Sequence, residues 1–317
     1  MNQEITAERP TSIFSGIGAL FISFILLQVG NGLQRILLPL RAESEGISAG
    51  MMGLVMAFHF AGYLFGARFI ISVINTVGHI RVFAALASTA SVAVLINAVF
   101  VVPASWMVVY FVSGICNAGI FVVLESWLNA KASNEVRGKV LGTYMMIMMG
   151  GTAAGFLLMN LGDASGFRMF IFSSVLISSA VIPVALTSTS APPLQEEERM
   201  KIGELFNIIP AAVVGLFLAS FVQASTSSMS TVFGTEAGMS TGKVALFTAV
   251  GFVGAVVLQY PLGALSDRLP RRSVIIGATV IAGSVALLGA LTPTTGSWIV
   301  VIHLCFGAFV FPLYGLF

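Results

Sequence analysis

The decisive stretch is Gly263-Ala264-Leu265-Ser266-Asp267-Arg268-Leu269-Pro270-Arg271-Arg272, a charged break between two apolar segments, Val244 to Leu262 and Ser273 to Leu291. Moving 192 residues towards the N-terminus reaches Ile71 to Ile80, a second polar break between apolar segments. The same offset pairs Gly46-Ile47-Ser48 with Gly238-Met239-Ser240, and Ser105-Trp106-Met107-Val108-Val109 with Ser297-Trp298-Ile299-Val300-Val301. Three correspondences at one spacing indicate an internal duplication.

Outward from these breaks, the composition is that of a membrane protein. Hydrophobic residues make up 57% of the chain and charged ones only 9%, against roughly a quarter charged in soluble domains. A net charge of +2, without a basic run interleaved with aromatics, argues against a nucleic-acid partner. Cys116 and Cys305 sit inside apolar segments, so neither suggests a disulfide framework. The apolar run from Ile13 to Leu40 is longer than a signal-peptide core of about 7 to 15 residues and reads as a first membrane helix.

Windows long enough to cross a hydrocarbon core, about 20 residues each, fall near 13–40, 49–73, 82–102, 106–128, 139–161, 168–188, 206–229, 243–264 and 273–292, with a tenth from Ser297 onward. With a cytoplasmic N-terminus, inside segments hold Arg9, Arg81, Lys131, Arg137, Lys139, Arg199, Lys201, Arg268, Arg271 and Arg272. The outside loops hold only Arg41, Arg168 and Lys243. That asymmetry supports ten spans in alternation. The charged, proline-containing stretch 189–205 reads as a cytoplasmic linker between an N-terminal six-helix half, 1–188, and a C-terminal half, 206–317. A full second copy would run two helices beyond Phe317, so the chain is expected to be an incomplete form whose second half lacks its last spans.

Two six-helix halves in parallel repeat, each with a polar loop after its second helix, resemble the major facilitator superfamily of secondary transporters. Gly263, Asp267, Arg268, Arg271 and Arg272 match that family's loop signature of glycine, aspartate, arginine and a basic pair. The first-half loop departs from it, with Ile71, Asn75 and Thr76 at the glycine, aspartate and arginine positions, and keeps Gly78, His79 and Arg81. Arg137-Gly138 at the fifth helix is a second family feature. Val123-Leu124-Glu125-Ser126-Trp127-Leu128-Asn129, Tyr144-Met145-Met146, Gly30-Asn31-Gly32, Pro39-Leu40-Arg41 and Phe311-Pro312-Leu313-Tyr314 are similar to the bacterial YcaD-like branch. The resemblance implies an all-α membrane bundle of two six-helix repeats around a cavity bordered by the first, fourth, seventh and tenth helices. It implies alternating access for a small organic solute at the inner membrane, and it leaves the cargo open. Gly150 to Gly155 is glycine-rich like the antiporter motif of drug exporters but lacks that motif's proline, and close helix packing is the simpler reading.

Charge at membrane depth is costly, so each polar residue there needs a partner, an escape route or a task. Gln28 and Asn31 lie three apart on one face with Arg35, and this stripe either touches solute or bonds a neighbouring helix. Arg35, about 20 residues into the first helix, is expected near the outer surface and snorkelling towards it. Gln223, the repeat counterpart of Asn31, is followed by Ser225, Thr226, Ser227 and Ser228, which suggests a weakly polar, uncharged cavity; Thr226 and His303 are further cavity candidates. His59 is either a packing histidine or a proton carrier. Glu125 either takes up a proton or pairs with Arg137 or Arg81 as an inner gate. Asp267, beside Arg268 and Arg271, is a second gating candidate. No cofactor motif, metal-ligand spacing or nucleophile-base arrangement appears, which disfavours an enzyme. The expected function is secondary transport of a small molecule, with protons as a candidate coupling ion; the rival is a non-transporting membrane sensor or an inactive fragment.

Overall fold

A computed structural model describes residues 11–132, 137–187, 202–293 and 296–316, with side chains from residue 17 onward except that of Ile202. Among the described residues all regular structure is helical. The order is α1 (Thr11–Ser44), α2 (Ala49–Val77), α3 (His79–Val99), α4 (Pro103–Lys131), α5 (Arg137–Leu158), a 3-10 turn (Met159–Leu161), α6 (Arg168–Ser179) and α7 (Val181–Ala185). Then follow α8 (Ile202–Ile208), α9 (Pro210–Glu236), α10 (Thr241–Arg268), α11 (Arg271–Leu291) and α12 (Trp298–Leu316). Ten stretches of described chain are long and apolar enough to cross a membrane, α6 and α7 together making one of them. Helices are the natural answer for a chain this apolar, because in hydrocarbon every backbone N–H and C=O must find its partner within the segment.

The breaks have identifiable causes. The expected polar break at 71–80 narrows to one residue: α2 continues to Val77, Gly78 takes φ 93°, and α3 starts at His79. Polar residues propagate a helix beyond the hydrocarbon as readily as apolar ones, so the end comes where a glycine adopts a backbone that other residues avoid. The sixth span is interrupted at Ala180, three residues before Pro183, which has no N–H to offer the carbonyl of Ser179. Pro210 opens α9 and separates it from α8, so the seventh span begins later than the apolar window suggests. Of the proposed linker at 189–205, only 202–205 fall within the described residues, as the first turn of α8.

The duplicated segments share backbone geometry. Gly46 and Gly238 have φ 71° and 68°. Ile47 N–H bonds Ala42 O at 2.8 Å, and Gly46 N–H bonds Glu43 O at 3.0 Å; Met239 repeats the first bond to Gly234 at 3.0 Å, and Gly238 the second to Thr235 at 2.9 Å. Both are Schellman caps ending the first helix of each copy. Packing repeats as well: α2 lies on α4 and α3 on α4, as α10 lies on α12 and α11 on α12. Glycines without room for a Cβ permit these crossings, Gly62 against Phe111 and Gly254 against Leu304, two positions related by the same offset.

Helices α1 to α7 pack chiefly on one another, as do α9 to α12. Three apolar cores show how the two bundles meet. Ile17, Leu20, Ile74, Phe83, Leu124 and Trp127 form a core within the first bundle. Leu262, Val274, Ala278, Leu313 and Leu316 form another within the second. Both lie towards the helix ends carrying Arg81, Arg137, Arg268 and Arg271, here the basic side. The third core, towards the opposite ends, is shared, and joins Leu37, Met52, Trp106 and Phe156 to Val232, Val244, Ala249 and Phe252. Rings of Phe156 and Phe252 meet edge-on across this joint with centroids 5.4 Å apart. The bundles are therefore fastened on one side and hold separate cores on the other.

Candidate functional site

Close glycine-mediated packing of α2 on α4 sets the site. Gly114 of α4 lies directly against the backbone of His59, which brings the His59 ring to 5.9 Å from that of Tyr110. α1 completes the first-bundle wall, where Asn31 Nδ2 donates to Asn117 Oδ1 at 3.2 Å. Ser227 and Ser228 of α9 close the cavity from the second bundle. The cavity measures about 70 Å3, and Gln34, Arg35 and Ser113 face it together with His59, Tyr110 and Asn117.

Its depth follows from counting in from the joined side. Arg35 is nine residues from the end of α1, His59 ten from the start of α2, Ser113 ten from the start of α4, and Ser227 nine from the end of α9. At 1.5 Å per residue each is about 14–15 Å in, the middle of a hydrocarbon core about 30 Å thick. Arg35 is thus not a snorkelling residue. Counting from the N-terminal end of α1 misplaces it, because this long helix overshoots on the basic side and its register is fixed by contacts with α5 and α6. For the same reason the cavity is not uncharged.

The other singled-out residues fall in several places. Asn31 and His59 line the central cavity. Gln28 turns to α5, donating through Nε2 to Met148 O at 3.2 Å and Thr152 Oγ1 at 3.4 Å. It works as an interhelical bond rather than a cavity wall. Gln223 is half-buried on α9 and lines neither cavity described here. Thr226 and His303 share a different pocket of about 330 Å3 within the second bundle, with Ser230 and Phe247. There the His303 ring stacks on Phe247 at 4.2 Å, and Nε2 lies 3.4 Å from Ser230 Oγ. Gly151 and Gly155 of the glycine-rich run press against Gln28 and Val29 of α1, which is close helix packing.

On the basic side, Glu125 is exposed and one of its oxygens accepts the Tyr144 hydroxyl at 2.9 Å. The expected pairing with Arg137 or Arg81 is absent among the described residues, and both arginines are exposed. A tyrosine one helix away reaches the carboxylate where Arg81 and Arg137 do not. Asp267 is exposed and makes no ion pair with Arg268 or Arg271, while Arg271 donates to Gly315 O at 3.3 Å. The ends of the two bundles stand apart here, so charges that would bridge them lack their counterparts.

Sequence reasoning missed Gln34, Tyr110, Ser113 and Asn117, and weighed Arg35 towards the surface. One signal was available: Ser227 is the repeat counterpart of Arg35 at the 192-residue offset. Equivalent positions in two copies facing a common axis meet there.

The profile of the Major Facilitator Superfamily matches residues 20–317. The chain is 26% identical over 273 residues to the uncharacterized MFS-type transporter YcaD of Escherichia fergusonii, covering 85% of this chain and 72% of that one. It is 27% identical over 274 residues to YcaD of Salmonella typhimurium, with the same coverage. Similar folds include the nucleoside transporter NupG, with TM-score 0.71, 9% identity and coverage of 95% and 79%. A bacterial homologue of the human lysosomal transporter Spinster, inward-facing and unoccupied, gives TM-score 0.72 at 16% identity, covering 98% of this chain and 76% of that one. A D-xylose–proton symporter gives 0.69, with 16% identity and coverage of 96% and 79%. A match over nearly the whole chain, on a helical bundle with ten apolar spans among the described residues, makes this multi-pass membrane protein a member of the Major Facilitator Superfamily, in its YcaD-like branch.

Proposed function

We propose that the protein is a secondary active transporter that moves a small organic solute across the bacterial inner membrane by alternating access. The carrying observation is a polar cavity at mid-depth, walled by both bundles, in a molecule whose bundles share a core on one side only. A solute site at the midplane between two repeats that rock about it is the expected design of such a carrier. The two bundles are the two copies of the duplicated unit, joined through 189–205. The excess of Lys and Arg on the basic side makes that side, and with it the N-terminus, cytoplasmic. The conformation described is then open towards the cytoplasm.

In the opposite conformation the basic ends close. Asp267, Arg268 and Arg271 of the second bundle then approach Arg81, Arg137 and Glu125 of the first, and charge-assisted bonds between them hold that side shut. Asp267→Asn is expected to lower transport while leaving protein levels intact.

The deciding experiment is uptake into proteoliposomes of the purified protein, with and without an imposed pH gradient. The solutes are a panel of organic anions, sugars, nucleosides and organic cations. Saturable uptake above protein-free vesicles is expected for at least one class, and none under either condition rejects the transporter reading.

A further inference from the structure

The central cavity holds a positive charge with nothing to balance it. Arg35 is half-buried in its wall, and among the described residues no Asp or Glu lines the cavity. A guanidinium keeps its proton under all cellular conditions, so the charge persists at a depth where an unpaired ion is costly. Glu125 does not serve as counter-ion. It lies eight residues beyond Asn117 on α4, about 12 Å along the helix, and already accepts the Tyr144 hydroxyl.

The same cavity has unspent hydrogen-bonding capacity. Gln34 Nε2, His59 Nδ1, Tyr110 Oη and Ser113 Oγ are all buried without a hydrogen-bond partner. Gln34, Tyr110 and Ser113 are 7%, 4% and 4% exposed and line the cavity. Buried polar groups are ordinarily satisfied. The amide and the two hydroxyls can all donate, and they surround a cation that donates only. What is missing from such a set is an acceptor carrying negative charge.

We propose that the transported solute is an anion, whose carboxylate or other oxyanion group is held by Arg35 with Gln34, Tyr110 and Ser113 donating to the same oxygens. The proposal rests on reading the central cavity as the solute site. The fork geometry of a guanidinium suits a planar or tetrahedral oxyanion. A space of about 70 Å3 admits such a head group, well below the roughly 300–1,000 Å3 of a pocket enclosing a drug-sized ligand.

Thermal unfolding of the purified protein in detergent tests the assignment, with acetate, succinate, citrate and glycerol 3-phosphate as anionic probes and xylose, uridine and choline as neutral or cationic ones. At least one anion is expected to raise the midpoint. In Arg35→Gln its apparent affinity falls by about tenfold to a hundredfold, and Arg35→Lys retains part of it. Without probe, Arg35→Gln unfolds at or above the wild-type temperature, since an unbalanced buried charge has been removed. If Arg35→Gln does not fold, Tyr110→Phe and Ser113→Ala carry the test, each weakening binding of the same anion. Stabilisation by neutral or cationic probes alone, or anion binding unchanged in these variants, overturns the proposal. Uptake of a neutral solute by Arg35→Gln proteoliposomes at the wild-type rate also overturns it, yet leaves the transporter reading intact. Failure of the wild type to transport any class sinks that reading separately.

Discussion

A carboxylate and a tyrosine illustrate what single side chains do on the basic side. Tyr144 is 1% exposed and stacks on Phe24 at 4.6 Å, so burial and this stacking aim its hydroxyl at Glu125. Tyr144→Phe removes the donor to the carboxylate. It is expected to cost about 1 kcal/mol, a net value reduced by the exposure of Glu125, read as a lower midpoint of thermal unfolding. Glu125→Gln keeps an oxygen for the hydroxyl, so its midpoint stays near that of the wild type. It removes the carboxyl that is the candidate proton carrier, so uptake in proteoliposomes should no longer respond to an imposed pH gradient. A retained response confines Glu125 to a structural role. That Glu125 lies near the C-terminal end of its helix was legible by counting; that Tyr144 would be its partner was not, because the pair comes from two helices whose rotation only packing sets.

At the scale of elements, glycines decide where helices stop and how closely they cross. Gly46 and Gly238 end the first helix of each copy in the left-handed region, where a Cβ costs about 1–2 kcal/mol. Gly46→Ala and Gly238→Ala are each expected to lower the unfolding midpoint by that order. Gly263→Ala lies within α10 with open space around it and should leave the midpoint unchanged or raised. Gly155 is a different case, since Val29 and Leu33 of α1 occupy the space a side chain would need. Gly155→Leu forces α1 and α5 apart and is expected to abolish accumulation of folded protein, assessed by size-exclusion chromatography.

For the whole molecule, the one-sided joint makes a directional prediction. Spin labels at Val77 and Leu269 report the separation of the basic ends, and labels at Leu161 and Thr241 that of the joined ends, with Cys116 and Cys305 replaced by alanine. Across acidic and neutral pH in liposomes, any condition that shortens the first distance should lengthen the second. A single invariant distance in both pairs contradicts rocking. Opening the far side would part Phe156 from Phe252 and expose the core they share, so equilibrium between the two states depends on apolar area exchanged between the two ends.

By itself the sequence determined the number and approximate placement of the spans and the duplication. These rest on local chemistry: apolar length against bilayer thickness, and short motifs that recur at one spacing. Tertiary structure decided which polar residues meet. Trp106 and its repeat counterpart Trp298 occupy matching sites in the sequence, yet one is 0% and the other 74% exposed, because α3 and the rest of the first bundle enclose only the former. In the same way Arg35 becomes a cavity cation and Gln28 a bolt between helices, though both belong to one helical stripe. Helix rotation and depth are set by contacts between segments far apart in the chain, and no periodicity within a single apolar run encodes them.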